Sequence, residues 1–128
     1  MSRKNRRLNK DGISHEKYME LMYFCLQYRQ KKEKLQSLSF IKGVDYGGTG
    51  VGSGGGNPTE KAALRREELQ RDIELIEQTV LETAPEIYDA LLKNVTEGIT
   101  YIYLSAPCGH KYFYEKRREF FIRLAMKK

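Results

Sequence analysis

Seven glycines stand among residues 47–56, with only Thr49, Val51 and Ser53 between them. A stretch this poor in side chains gains nothing from burial and loses the most conformational entropy on ordering, so it serves as a flexible connection. The chain is therefore cut in two. Whatever folds before residue 43 reaches whatever folds after residue 57 only through a loop over residues 43–57. A glycine run can also cradle a phosphate. Here no Lys-Ser or Lys-Thr pair follows the run and no buried-strand pattern precedes it, so it is not a Walker loop.

Both sides of the loop carry helical periodicity. Ser14 is a good N-cap for a long periodic segment that begins beside it. Tyr18, Leu21, Cys25, Tyr28 and Leu35 recur at spacings of three, four and seven, and Met22 and Leu38 broaden the stripe. The spacing predicts one amphipathic helix over residues 14–41, with Arg29, Lys31, Lys32 and Lys34 on its solvated face. Beyond the loop, Pro58 or Thr59 can open a second long helix, and Glu60 suits its positive N-terminal end. Ala62, Leu69, Ile73, Ile76 and Val80 lie on a four-three repeat, with Arg66 at one polar seam position. Mixed charges flank the repeat, as in a coiled coil. Two such helices on one flexible loop fold back most simply as an antiparallel hairpin. Pairing of a seam with a second copy of the chain is the alternative.

Pro85 cannot continue that helix but fits the first turn of a new one, which Thr83 can cap. Ile87, Leu91 and Val95 give it an apolar stripe, and Gly98 ends it. Two further helices are expected, over residues 100–105 and 110–126, separated by the break Ala106, Pro107, Cys108 and Gly109. The fold read from these signals is all-α: a long, coiled-coil-like antiparallel hairpin joined to a small C-terminal helix-turn-helix head. The divisions are a basic arm at 1–13, the hairpin at 14–83 and the head at 84–128.

Charge is distributed unevenly over these parts. The chain has a formal net charge of +6 and a pI near 9.3. Residues 1–10 hold five cations and no acid. Residues 109–128 hold Lys111, Lys116, Arg117, Arg118, Arg123, Lys127 and Lys128 against Glu115 and Glu119, whereas residues 59–98 are net acidic. Clustered positive charge favours an anionic partner. No apolar run approaches transmembrane length, no signal-peptide pattern accompanies the basic N-terminus, and two cysteines do not make a disulfide framework. A reducing, cytoplasmic setting without membrane attachment is expected.

The C-terminal helix divides by phase at 100° per residue. Phe113, Arg117, Phe120 and Leu124 share one stripe, broadened by Tyr114, Phe121 and Ala125. Residues near the start of a recognition helix are the ones that reach base edges. That assigns His110, Lys111, Tyr112, Glu115 and Lys116 to base reading or groove lining, and Arg118, Arg123, Lys127 and Lys128 to phosphates. Arg117, at the edge of the apolar stripe, reads as structural. Arg3, Lys4, Arg6 and Arg7 of the arm add accessory phosphate or minor-groove contacts. The basic cluster begins well before the last helical turn, so cations merely favoured by the helix dipole do not account for it.

Catalytic and metal chemistry find little support. Cys108 and His110 form a Cys-x-His pair, but a structural zinc needs four ligands, and the other candidates, Cys25 and His15, lie in a different element. No acid at a recognisable spacing would orient a Cys-His nucleophile. No enzyme activity, cofactor or metal is expected.

The residues Leu92, Val95, Thr96, Glu97, Gly98, Ile99, Thr100, Tyr101, Leu104, Pro107, Cys108, Gly109 and the run from Phe113 and Tyr114 through Arg117, Arg118, Phe120, Phe121 and Leu124 resemble the RinA/ArpU group of phage transcriptional regulators. The specific part of the resemblance covers residues 96–124. These regulators are themselves similar to the promoter-binding C-terminal region of sigma factors. The turn at residues 106–109 is tighter than is usual in that group. The resemblance implies a phage-encoded, nucleoid-associated DNA-binding protein that activates late or packaging genes in a bacterial host. Double-stranded DNA would be its partner, with host RNA polymerase as a second one and the hairpin as a route to homo-oligomers. The competing expectation is a phage interaction factor that grips a host polymerase, nuclease or other effector through the hairpin and basic tail.

Overall fold

The computed structural model describes residues 12–48 and 58–128, and these are helical throughout apart from short connections. Among the described residues the α-helices are, in chain order, α1 (His15–Leu26), α2 (Tyr28–Gly48), α3 (Pro58–Thr83), α4 (Tyr88–Glu97) and α5 (His110–Lys127). Two single 3₁₀ turns, Pro85–Ile87 and Tyr101–Tyr103, lead into α4 and towards α5.

Several boundaries arise directly from local chemistry. The Ser14 hydroxyl accepts the Lys17 amide at 3.0 Å, satisfying one of the free donors at the start of α1. Pro58 opens α3. Gly98 closes α4 in the left-handed conformation, φ 71°, which glycine adopts without a Cβ penalty, and its amide returns to the Asn94 carbonyl at 3.0 Å.

Four boundaries differ from the sequence expectation. Thr83 does not cap the helix after Pro85: it is the last residue of α3, and its hydroxyl donates to the Thr79 carbonyl at 2.7 Å. The helix expected over residues 14–41 is two helices. At Gln27 the amide bonds to the Phe24 carbonyl at 3.2 Å, a tighter three-residue closure that interrupts the regular ladder. The loop expected from residue 43 begins later, because α2 runs to Gly48. One interior glycine costs a helix only ~1 kcal/mol, so Gly43 does not stop it. The helix expected over residues 100–105 is only the 3₁₀ turn Tyr101–Tyr103, and Ser105 at φ 51° and Pro107 leave no room to extend it.

The hairpin is antiparallel. Tyr28 donates its hydroxyl proton to Glu77, and one helical turn on, Lys31 meets Asp72 at 2.9 Å; the numbers rise along α2 as they fall along α3. Lys31 corrects the expectation of a solvated lysine face. It lies three residues after Tyr28, hence on the same helical face. Its side chain is only 13% exposed, and its ammonium sits 4.1 Å from the Phe24 ring centre. Lys32 and Glu77 approach to 3.9 Å beside it. Burial of Tyr28 and its bond to Glu77 hold the phenol proton far above the ordinary tyrosine range.

One core joins the hairpin to the C-terminal helices. Leu21, Phe24 and Cys25 of α1, Ile73, Ile76 and Val80 of α3, Leu91 and Val95 of α4 and Phe113, Phe120, Phe121 and Leu124 of α5 form a continuous buried cluster. Each fully buried large side chain contributes ~1.5–3 kcal/mol relative to an exposed one, so this cluster dominates the fold. The seam of α3 is buried as its repeat predicts at Leu69, Ile73, Ile76 and Val80. At the polar seam position, Arg66 Nε is buried with no hydrogen-bond partner among the described residues.

Candidate nucleic-acid interface

The basic C-terminal helix begins without a side-chain cap. Gly109 occupies the N-cap position with extended backbone, and the first residues, His110 and Lys111, are exposed. What fixes this end is Tyr101. Its hydroxyl donates to the Cys108 carbonyl at 2.5 Å, and its ring lies edge-on to His110 at 5.3 Å and tilted against Phe113 at 5.4 Å. The His110 ring in turn packs on Tyr114 at 4.7 Å. An aromatic stack therefore ties the connection over residues 98–109 to the first turn of α5.

The inner side of α5 is the stripe that its phase predicts. Phe113, Phe120, Phe121 and Leu124 have no exposed surface. Arg117 lies on the same side and is structural, in line with its place at the edge of the stripe. Its Nε donates to Asn94 Oδ1 at 2.7 Å, one Nη donates to the Tyr18 hydroxyl at 3.1 Å, and the guanidinium lies 5.0 Å from the Phe121 ring centre. Asn94 uses its amide nitrogen on the Ile99 carbonyl at 2.9 Å. One guanidinium thus clamps α5 to α1 and to the end of α4 just where the chain turns towards the exposed connection.

The outer side carries the remaining candidates, in two different situations. Lys111, Glu115 and Arg123 are exposed, and among the described residues Lys111 forms no ion pair. Lys116 is half-buried, 3.3 Å from Glu119 and 5.5 Å over the Tyr112 ring. Arg118 is half-buried beside it, and Glu115, Lys116, Arg118, Glu119 and Ile122 line a shallow open depression. Tyr112 is exposed but donates its hydroxyl to Glu86. That bond holds the Glu86 carboxyl below its ordinary value and pushes the Tyr112 phenol up to about 12. Tyr112 is therefore a neutral donor already engaged by an acid.

The last two cations are engaged as well. Lys127 meets Glu82 at 2.6 Å, and the ammonium of Lys128 sits 3.9 Å above the Phe24 ring. The Lys127 bond is the main reason the Glu82 carboxyl titrates low, with a smaller contribution from the charge of Arg123. The expected phosphate contacts at the C-terminal end thus sit in intramolecular pairings. The accessory residues Arg3, Lys4, Arg6 and Arg7 lie outside the described residues.

The outer face of the helix runs from Lys111 through Lys116 and Arg118 to Arg123. The twelve helical rises from residue 111 to residue 123 span about 18 Å, more than the ~12 Å width of a major groove. Cations at one end can lie within a groove only if those at the other end reach its phosphate rim. Glu115 and Glu119 interrupt the positive face, so it is patterned rather than uniformly attractive. Sequence reasoning missed Asn94, Glu82, Glu86 and Tyr101, because their partners lie far off in the chain or on backbone atoms.

Among the described residues, no three His, Cys, Asp or Glu side chains gather closely enough to hold a metal ion. Burial pushes the Cys25 thiol up to about 12, so it is not a thiolate at neutral pH. No described helix is long and apolar enough to cross a membrane. The chain matches no family model, no curated protein and no solved structure.

Proposed function

We propose that the chain is a DNA-binding transcriptional regulator that presents the outer face of α5 to a major groove. The observation that carries this reading is the division of α5. Four large residues on one side are wholly buried, while Lys111, Glu115 and Arg123 are exposed on the other, with Lys116 and Arg118 between them. In this reading Lys111 and Lys116 meet base edges or groove walls, and Arg118 and Arg123 meet phosphates. Tyr112 exchanges its Glu86 partner for DNA or stays as a spacer. Lys127 and Lys128 help hold the helix and add only to the long-range field. The resemblance to phage regulators extends the proposal to activation of late or packaging genes.

Selection of bound duplexes from a random pool tests it. A single enriched motif, bound with an affinity that falls steeply as salt rises, is the expected result. Enrichment of no motif, or equal affinity for every duplex at fixed salt, contradicts it. A second reading, a protein-interaction factor, draws support from Leu81, which is exposed on α3 in a shallow cleft with Glu74, Glu77, Gln78 and Tyr88. Stoichiometric capture of a host protein, abolished by Leu81→Glu and accompanied by no duplex binding, would favour that reading.

A further inference from the structure

The most exposed large apolar pair of the connection between α4 and α5 is Ile102 and Tyr103, 74% and 77% exposed. Burying such side chains is favourable, and the fold leaves them in water. Their neighbour explains how they stay there. Tyr101 is pinned by the Cys108 carbonyl, His110 and Phe113, so the 3₁₀ turn is clamped to the first turn of α5. Tyr103 N also donates to the Thr100 carbonyl at 3.0 Å, closing the turn. The pair is therefore a rigid apolar tip held beside an uncapped, cation-bearing helix start, and not a loosely tethered loop. On the side of α5 itself, Lys111 provides exposed positive charge.

We infer that Ile102 and Tyr103 form a second DNA contact, pressed against sugar and base edges next to the groove occupied by α5. This inference rests on the DNA-binding reading of α5. The chemistry fits a duplex: apolar side chains pack on thymine methyls or wedge at base edges while adjacent cations meet phosphates. Ordering costs little, because the turn is already fixed before binding. The contact is apolar, so it releases no counterions. It adds affinity without adding to the salt dependence, whereas a phosphate contact such as that of Arg123 contributes to both.

The full-length chain, a labelled duplex enriched from a random pool and a salt series measured by fluorescence anisotropy test this. Ile102→Ser with Tyr103→Ser is expected to weaken binding about tenfold at fixed salt, a factor that corresponds to ~1.4 kcal/mol, with the slope of log affinity against log salt unchanged. Tyr103→Phe keeps the ring and is expected to bind like the parent. Arg123→Gln, which removes a phosphate contact, is expected to reduce the slope by about one. Both tip residues are exposed, so an unchanged helical circular dichroism spectrum accompanies the expected result. Parental affinity in the double variant, or a slope that falls with it, overturns the inference while leaving the α5 reading standing. Loss of binding to phosphatidylglycerol vesicles, with duplex binding intact, overturns it in favour of a membrane contact. A parent chain that binds no duplex overturns both.

Discussion

The first and last turns of α5 carry the same kind of side chain in opposite circumstances. At the start, Lys111 stands exposed beside an uncapped helix end, and no acid on a neighbouring helix pairs with it among the described residues. At the end, Lys127 bonds Glu82 and Lys128 caps the Phe24 ring. The basic residues of this helix therefore do not form one set. What separates them is the geometry of the neighbouring elements: α3 brings Glu82 to the Lys127 ammonium at the end of α5, whereas the acid at its beginning, Glu86, is taken by the Tyr112 hydroxyl and not by a lysine. A lysine opposite a fixed acid is already partly neutralised, while one without such a partner keeps its field for an external anion.

Both ends of α5 are anchored from the inside by the same core, Phe113 near the start and Phe120 and Leu124 further on. Phe113→Ala and Phe120→Ala are each expected to destabilise the fold by ~3–5 kcal/mol, since both rings are wholly buried in a shared core. Denaturant unfolding measures this. A loss below ~1 kcal/mol for Phe113 alone would mean that the first turn frays, and that its exposure reflects fraying instead of presentation. Arg117→Met comes next, at about 2 kcal/mol, because it leaves Asn94 Oδ1 and the Tyr18 hydroxyl without their donor. If Arg117→Met proves neutral, the clamp is not what positions the helix.

The smallest effect separates the two ends by pH. The Glu82 carboxyl is held low in the folded chain, chiefly by the Lys127 hydrogen bond. A depressed folded pKa gives stability that is present above the ordinary carboxylate value of ~4.3 and is lost as pH falls through the lower folded value. Lys127→Ala is therefore expected to lower Tm by under about 2 °C at neutral pH and to leave Tm unchanged in strong acid. Thermal melts across that range check the sign. A Lys111→Ala control should move Tm at neither pH. If Lys111→Ala lowers Tm as Lys127→Ala does, the distinction between the two turns fails.

Much of this architecture is legible in the residues. Ser14, Pro58 and Gly98 mark ends through their own backbone and side-chain chemistry, which needs no distant partner. The buried faces of α3 and α5 are set by periodicity alone, because burial of Ile76, Val80, Phe120 and Leu124 decides how those helices lie. The break at Gln27 is hidden, since neither glycine nor proline announces it. The lysine faces are read by local spacing, and spacing cannot place the acids that meet them. Lys31 finds Asp72 and Lys127 finds Glu82 across 41 and 45 residues of sequence. Phase identifies Arg117 as structural, but its partners Asn94 and Tyr18 emerge only when three helices are packed. For the interface, the exposed side of α5 is readable, whereas which of its cations are already engaged depends on tertiary geometry.

In the proposed function, the exposed start of α5 reads DNA. Its most direct test is the duplex preference of the charge-reversed chain, Lys111→Glu with Lys116→Glu, measured in competition at fixed salt. The double variant is expected to keep the parent's melting temperature within about 2 °C and to lose its preference for the enriched duplex over unrelated sequence. A stable double variant that still prefers that duplex as the parent does would contradict it.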